Sequence, residues 1–179
     1  MLLVVDNGSV YTSSLLKCMN ELNANYEHCT ASELDESSFD KFSTFILSGR
    51  RKNDSRMNAI NSKTIKHAVQ NKKPLLGICY GAEILALTLG GTLQKMPSSR
   101  QGIYEIETKD NPLVKGKIQV FESHSYMISK IDSSFRTLAS SSQCKFEFFC
   151  LESQNIFGTQ FHPEMSQDGK TILKNFISI

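Results

Sequence analysis

The chain has 179 residues, of which 40% are hydrophobic and 21% are charged, as in an ordinary soluble globular domain. Its formal net charge of +2 is too small to indicate binding to nucleic acid or to a membrane surface. The apolar run Leu2–Val5 is stopped by Asp6, and no stretch approaches the length of a membrane span. We therefore expect neither a signal peptide nor a transmembrane helix.

The cysteine content indicates the compartment. The sequence contains five cysteines: Cys18, Cys29, Cys79, Cys144 and Cys150. The number is odd and no C-x-x-C pair occurs, which favours free thiols in a reducing cytoplasm and does not suggest a zinc site. His28 and Cys29 are adjacent, but no other residue with ligand spacing joins them, so we interpret both as structural.

The first half of the chain alternates predicted strands and helices. Apolar runs predict strands over 2–5, 25–29, 44–47 and 74–78. Helical spacing predicts helices from Thr12 or Ser13, as the cap, to about residue 23, then over 56–70 and 80–89. This alternation predicts a parallel sheet with helices on both faces.

The second half changes character. It contains predicted strands over 102–108, 117–122, 136–140, 145–151 and 156–161, followed by a final helix over 168–177. We expect Phe146, Phe148 and Phe149 to lie in the core. Because the sequence has no internal repeat, low-complexity tract or obvious linker, we expect a single domain over residues 1–179.

Residues 77–81, G-I-C-Y-G, place Cys79 between two glycines where a predicted strand meets a helix. The same spacing around serine forms the nucleophile elbow of hydrolases, a tight turn that exposes the side chain. The helix N-terminus would lower the pKa of the thiol, and the Tyr80 N–H would face an oxyanion. A structural cysteine in a tight turn would need the same glycines, so this motif alone leaves both interpretations open.

A thiol nucleophile needs a base. The chain has four histidines: His28, His67, His124 and His162. His162 follows the last predicted strand, and Pro163 then takes the chain out of regular structure. Glu164 can bind one imidazole nitrogen and leave the other for Cys79. Alone, this segment favours a capped strand end with an exposed ion pair; together with the glycine-bracketed cysteine, it favours a Cys79–His162–Glu164 triad. His28 and His67 are interpreted as surface or packing residues.

Two segments together resemble the triad-type class I glutamine amidotransferases: G-I-C-Y-G at 77–81 and T-Q-F-H-P-E at 159–164. In the same order, residues 46–49 (I-L-S-G) are similar to the family's oxyanion strand, and 120–124 (V-F-E-S-H) to its glutamine-binding segment. The opening D-N-G-S-V-Y-T at 6–12 is similar to the amidotransferase part of GMP synthases. The resemblance spans nearly the whole chain and is greatest to the separate amidotransferase subunit of archaeal-type GMP synthases.

This resemblance implies a flavodoxin-like, three-layer α/β fold with a mainly parallel central sheet, helices on both faces and extra strands in the second half. It implies that Cys79 attacks the side-chain amide of glutamine, that His162 transfers protons and that Glu164 orients His162. It places the oxyanion donors at the backbone N–H groups of Tyr80 and of Gly49 or Arg50. The substrate-binding residues that it implies are Glu83, Ser123 and His124. The backbone of the His124 segment would hold glutamine, so its imidazole need not take part in the chemistry.

The resemblance also implies a protein partner. Ammonia would pass to a separate ATP-dependent synthetase subunit, of the GMP synthetase type. The chain contains neither an S-G-G-x-D-S loop nor a G-x-x-x-x-G-K-[ST] loop, so we expect no ATP site on it. The resemblance implies no metal or organic cofactor for the hydrolysis.

Four positions depart from the family pattern. Glu83 replaces a glutamine, Arg50-Arg51 replaces Gly-Pro, Ser125-Tyr126 replaces Gly-Asp, and Ala82 replaces a histidine found in many members. An ionised carboxylate at position 83 can accept hydrogen bonds but cannot donate one. These departures leave three alternatives open: another ammonia acceptor such as chorismate, a stand-alone γ-glutamyl or cysteine peptidase-like hydrolase, and a catalytically weakened regulator of a synthetase.

Overall fold

A computed structural model describes residues 1–151 and 153–179 of the chain. The strands are β1 (Leu2–Asn7), β2 (Tyr26–Thr30), β3 (Thr44–Arg50), β4 (Leu75–Ile78), β5 (Thr92–Thr108), β6 (Gly116–Lys130), β7 (Phe135–Ala139), β8 (Phe148–Leu151) and β9 (Ile156–Thr159). The helices are α1 (Thr12–Glu21), α2 (Ser55–Gln70), α3 (Tyr80–Thr88) and α4 (Gln167–Phe176). Within the described residues, the nine strands form one sheet in the order β2-β1-β3-β4-β9-β8-β7-β5-β6.

The sheet has a parallel half and an antiparallel half, which meet at β9. Strands β2, β1, β3, β4 and β9 pair in parallel, whereas β9, β8, β7, β5 and β6 pair antiparallel. Parallel neighbours need a crossover connection, usually a helix, and antiparallel neighbours do not. The predicted α/β fold is therefore confirmed, but a mainly parallel sheet describes only one of its halves.

Strand β1 is buried on both sides. Val4 belongs to the core cluster beneath α1 and α4, and Val5 to the cluster beneath α2 and α3, because successive side chains of a strand point to opposite faces. Helices α1 and α4 bring Leu15 and Ile172 to the first cluster, and α2 brings Ile65 to the second. The three layers are those predicted. Among the described residues, no helix is long and apolar enough to cross a lipid bilayer.

Strands β5 and β6 are much longer than predicted. They form one hairpin whose register shifts between Lys95 and Arg100. The predicted strands covered only 102–108 and 117–122. Pro97 lies within the shifted segment, where its missing N–H could not donate to a regular strand ladder.

Smaller differences concern element ends. Strand β8 begins at Phe148, later than predicted, and Phe146, Phe148 and Phe149 are buried as expected. The predicted side-chain cap of α1 is wrong. Its N-cap is Tyr11, which makes no side-chain cap bond, and the Thr12 hydroxyl instead donates to Asp6 Oδ1 at 2.8 Å. Asp6 thereby ties α1 to the end of β1.

Helix α3 approaches β3 and β4 at backbone contact distance. A Cβ atom added at Gly77 would lie 2.5 Å from the carbonyl group of Gly81. A Cβ atom at Gly81 would collide with the carbonyl oxygen of Leu47. Both neighbours are backbone atoms of buried elements and cannot move aside. The two glycines therefore allow strand, turn and helix to pack together around Cys79.

Gly81→Ala should destabilise the fold by about 1–3 kcal/mol, because its Cβ collides with the backbone of Leu47. Urea unfolding followed by circular dichroism measures the change. Gly90→Ala is the matched control at the other end of α3: Gly90 has a φ of 89° but no atom within 4 Å of an added Cβ. It should lose only about 1–2 kcal/mol from backbone strain. A loss below about 1 kcal/mol in Gly81→Ala would contradict the collision.

Candidate active site

Cys79 forms the turn between β4 and α3. Its φ of 50° and ψ of −104° are unusual for a residue with a side chain and indicate a strained backbone. Its N–H donates to the carbonyl oxygen of Thr159 in β9 at 2.7 Å. The turn has the tight backbone predicted for a nucleophile elbow, and this bond ties it to the strand that precedes His162.

His162 and Glu164 form a buried pair beside this turn. Ile78 lies opposite Thr159 in the parallel β4–β9 pair, so the residues that follow both strands emerge at the same sheet edge. Glu164 Oε1 lies 2.8 Å from His162 Nδ1, and both side chains are almost fully buried. A carboxylate here fixes Nδ1 as the protonated nitrogen and leaves Nε2 for the reaction. The segment is not an exposed ion pair at a strand end.

Tyr11 contributes to the site although sequence reasoning did not select it. Its ring centroid lies 4.5 Å from that of His162, and its hydroxyl donates to Ser123 Oγ at 3.1 Å. Tyr11 thus joins the histidine to the segment that resembles the family's glutamine-binding strand. The signal was present, since Tyr11 lies in the opening motif at 6–12.

Ser123 and Gly49 line the reaction centre. The Cys79 thiol points to the carbonyl oxygen of Ser123, with Sγ and O 3.9 Å apart. A Cβ atom at Gly49 would lie 3.0 Å from His162 Cε1, so the end of β3 passes directly against the imidazole. The structure therefore brings Cys79, His162, Ser123 and Gly49 together.

The expected lowering of the Cys79 pKa is wrong. Burial, followed by the negative charges of Glu83 and Glu164, raises the pKa of this thiol well above its usual value, and the Tyr80 N–H opposes the shift only in part. The resting site therefore holds a neutral thiol. The helix N-terminus is present as predicted, but the depth of burial and the enclosing carboxylates could not be read from the local sequence.

Glu83 lies buried in the first turn of α3, and its charge acts on the Cys79 thiol. Burial raises the pKa of its carboxyl group, while the charge of Arg50 and the nearby Gln160 side chain oppose the shift. As a carboxylate, Glu83 can accept hydrogen bonds but cannot donate one, unlike the glutamine that it replaces in the family pattern.

Arg50 is turned towards the first turn of α3. Its guanidinium lies 4.2 Å from the ring centroid of Tyr80 and donates to Asn58 Oδ1 at 3.3 Å. The Tyr80 hydroxyl donates to the same oxygen at 2.7 Å. The Tyr80 N–H lies at the Cys79 thiol, as an oxyanion donor requires. The corresponding roles of the N–H groups of Gly49 and Arg50 stay predictions.

Known proteins are similar to this chain along nearly its whole length. The model of the glutamine amidotransferase class-I family matches residues 3–179. The chain belongs to this family. It is 31% identical over 186 residues to a glutamine-hydrolysing GMP synthase subunit of Pyrococcus furiosus, covering 100% of this chain and 98% of that protein. It is 35% identical over 183 residues to the GMP synthase of Petrotoga mobilis, covering 98% of this chain but 35% of that longer protein.

A solved structure extends the likeness to three dimensions. A Thermoplasma acidophilum protein described as a GMP synthase subunit superposes with a TM-score of 0.88 and 28% sequence identity. The match covers 99% of this chain and 92% of that chain. The antiparallel half of the sheet is therefore part of a fold found in another class I amidotransferase relative.

One side-chain cluster in this amidotransferase could reach a common metal ion. The ligand atoms of Glu122, His124 and Glu147, all within the described part of the chain, lie within 4.8 Å of one another. Arg100 Nη1, however, lies 3.0 Å from Glu147 Oε1. A divalent cation would have to sit beside this guanidinium, so we interpret the cluster as a buried ion network. The imidazole of His124 is bound within this network.

The thiol of Cys79 should react slowly with iodoacetamide at pH 7 and faster as the pH rises, because its raised pKa keeps it neutral. Glu83→Gln removes a negative charge that raises this pKa, so the rate at pH 8 should increase by roughly 3–10-fold. Mass spectrometry of Cys79 peptides measures both rates, and Cys79→Ala identifies the signal. An unchanged rate in Glu83→Gln would show that this carboxylate does not act on the thiol.

Proposed function

We propose that this chain is the glutamine-hydrolysing subunit of a two-subunit GMP synthase. One observation carries the proposal: the strained Cys79 turn and the His162–Glu164 pair lie at the ends of neighbouring parallel strands. They do so in a chain that matches a glutamine-hydrolysing GMP synthase subunit along its whole length. The two features together support both the reaction and the kind of subunit.

We assign the catalytic roles according to the chemistry of a thiol nucleophile with an imidazole base. Cys79 Sγ bonds to the side-chain carbonyl carbon of glutamine while His162 Nε2 takes the thiol proton. The carbon–nitrogen bond then breaks, His162 returns the proton to the leaving nitrogen, and ammonia departs from a glutamyl thioester. Water deprotonated by His162 cleaves the thioester, which yields glutamate and restores the thiol. Glu164 orients the imidazole throughout.

Because the resting thiol is neutral, His162 has to act as the base that removes its proton. Because burial keeps Cys79 protonated, the thiolate forms as attack begins and the imidazole accepts the proton at that moment. The Tyr80 N–H, with an N–H of Gly49 or Arg50, stabilises the oxyanion. Loss of one such donor typically costs about 3 kcal/mol of transition-state stabilisation.

The substrate is held by Glu83, Ser123 and the backbone beside His124. Glu83 faces the site from α3, and Ser123 faces it from β6, where Tyr11 fixes its hydroxyl. A glutamine bound between them would lie next to the Cys79 thiol, which already points to the Ser123 carbonyl. This arrangement supports the assignment of these residues to substrate binding.

Ammonia passes to a separate ATP-dependent synthetase subunit that converts XMP to GMP. The Petrotoga mobilis relative is a single longer chain, and the present chain corresponds to 35% of it. The Pyrococcus furiosus relative is named as one subunit of its enzyme and has nearly the same length as this chain. These relatives favour XMP over chorismate as the acceptor and a partnered enzyme over a stand-alone peptidase. One domain over residues 1–179 completes the proposal, supported by the single sheet that the described residues form, together with a cytoplasmic location, supported by the free thiols.

Glutamate release from glutamine should depend on Cys79 and rise in the presence of a separately expressed GMP synthetase subunit with ATP and XMP. Cys79→Ala should abolish release, because the thioester forms on this thiol. Cys29→Ala, which alters a half-buried thiol on β2, is the matched control and should retain activity. Release that is dependent on Cys79 but unaffected by the synthetase would overturn the choice of partner.

Glu164→Gln should lower kcat by about 10–1,000-fold while changing KM little, because the neutral amide no longer stabilises the imidazolium that forms during the reaction. Steady-state glutamate release measures both constants. Glu27→Gln, at an exposed position on β2, controls for the loss of one carboxylate. A kcat that stays at the wild-type level would remove Glu164 from the triad.

A further inference from the structure

The segment Glu122-Ser123-His124 of β6 has two different sides. Successive side chains of a strand point to opposite faces, so Ser123 points away from both of its neighbours. Ser123 lies on the side of the reacting groups, with its hydroxyl at Tyr11 and its carbonyl at the Cys79 thiol. Glu122 and His124 point into the interior, where their side chains are 0% and 1% exposed. Ser123, the proposed substrate-binding residue, is therefore flanked by the buried pair Glu122 and His124, whose side chains lie on the opposite face of β6.

The imidazole of His124 is held between two acceptors. Its Nδ1 lies 2.7 Å from the carbonyl oxygen of Tyr126, which can only accept, so Nδ1 carries a proton. Its Nε2 lies 2.7 Å from Glu122 Oε2. When Glu122 is ionised, Nε2 must donate as well, and the ring is an imidazolium. Burial opposes this charge, but the hydrogen bond and charge of Glu122 outweigh it and raise the pKa of His124.

Arg100 lies close to Glu122. Its Nη2 lies 3.8 Å from Glu122 Oε1 and its Nη1 lies 3.0 Å from Glu147 Oε1, so one guanidinium lies between two buried carboxyl groups. Burial and the nearby Glu122 raise the pKa of Glu147 to about 7. Glu147 is thus the carboxyl group that takes up a proton near neutral pH, and Glu122 remains the partner of His124.

Two further ionisable groups face this network. Glu83 of α3 interacts electrostatically with His124, and its negative charge also favours the imidazolium. Cys144 lies near Glu147, Glu122 and Arg100 and stays neutral because burial raises the pKa of its thiol. In the described part of the chain, the two ring nitrogens are bound by Glu122 and the Tyr126 carbonyl rather than by either of these groups.

We propose that Glu122 is a positioning residue for glutamine binding. It holds His124 as an imidazolium that donates to both Glu122 and the Tyr126 carbonyl, and these two bonds fix the strand on either side of Ser123. Arg100 supports Glu122 from behind. The inference rests on the proposed glutaminase function, since it assigns the residue that aligns the substrate-binding segment with Cys79.

Loss of the Glu122 carboxylate should weaken glutamine binding. In Glu122→Leu, the side chain at position 122 offers no atom that can bind His124 Nε2, so one of the two bonds that hold the segment is lost. In Glu122→Gln, the amide N–H can donate to Nε2 of a neutral ring while Nδ1 still donates to the Tyr126 carbonyl, so both bonds should be retained.

Steady-state glutamate release tests this. In Glu122→Leu, KM for glutamine should be about tenfold higher than in the wild type, with kcat changed less than KM. In Glu122→Gln, KM should return to within about threefold of the wild-type value, because the amide restores the bond to Nε2. Glu147→Gln is the matched control, because it removes a carboxyl group from the same network without removing either bond of the His124 ring. Its KM should stay within about twofold of the wild-type value.

A second measurement needs only the wild-type protein. Nuclear magnetic resonance of the His124 ring should show an imidazolium that loses its proton at a higher pH than an ordinary histidine does. Titration of this ring near its ordinary pKa would overturn the proposal, even if Glu122→Leu fails to fold. A wild-type KM in a folded Glu122→Leu variant would overturn it as well. If the wild type releases no glutamate, the proposed function fails and this inference fails with it.

Discussion

The close approach of α3 to β3 and β4 is the constraint on which the rest of the site depends. No side chain fits at Gly77 or Gly81, so the chain turns within a single residue, and Cys79 adopts a φ of 50°. Such a backbone costs of the order of 1–3 kcal/mol and persists only where surrounding contacts impose it. Here the hydrogen bond from Cys79 to Thr159 is one of those contacts, so the strained turn and the strand leading to His162 hold each other in place.

Burial of charge is the second constraint. The carboxyl groups of Glu83, Glu122, Glu147 and Glu164 all lie in the interior, each beside a histidine or arginine or with a raised pKa. Burial and the field of these carboxylates keep the Cys79 thiol neutral until attack on a substrate begins. The proposed reaction therefore relies on His162 as the base and not on a preformed thiolate. The position of the imidazole then determines whether the thiol can be deprotonated.

The sequence predicted the parallel half of the fold because each of its strands is a short buried apolar run followed by turn residues or a capped helix. It predicted the triad because Cys79, His162 and Glu164 sit in segments with strong local signals. It did not predict the length of β5 and β6, since Pro97 lies at an irregularity that only pairing with the partner strand reveals. Tyr11 and Arg100 were missed for a related reason: their partners lie far away in sequence and meet them only in the folded sheet.

The raised pKa of Cys79 was not predicted from the sequence for the same reason, because burial, its largest cause, depends on tertiary packing. A helix N-terminus is a local feature and argues for a thiolate, whereas burial and the charge of Glu164 are tertiary. At Cys79 the tertiary effect prevails, because burial changes the pKa of this thiol more than the Tyr80 N–H does.

The position of β9 in the sheet has a consequence for how the protein is made. Strand β9 inserts between β4 and β8, so it joins the parallel half only after β5 to β8 have left the ribosome. Contacts between segments so far apart in sequence form late, because closing a long loop costs entropy before any contact repays it. The turn at Cys79 and its base both depend on this strand, through the bond to Thr159 and through His162. The nucleophile and its base are therefore brought together only once β9 has been added to the sheet.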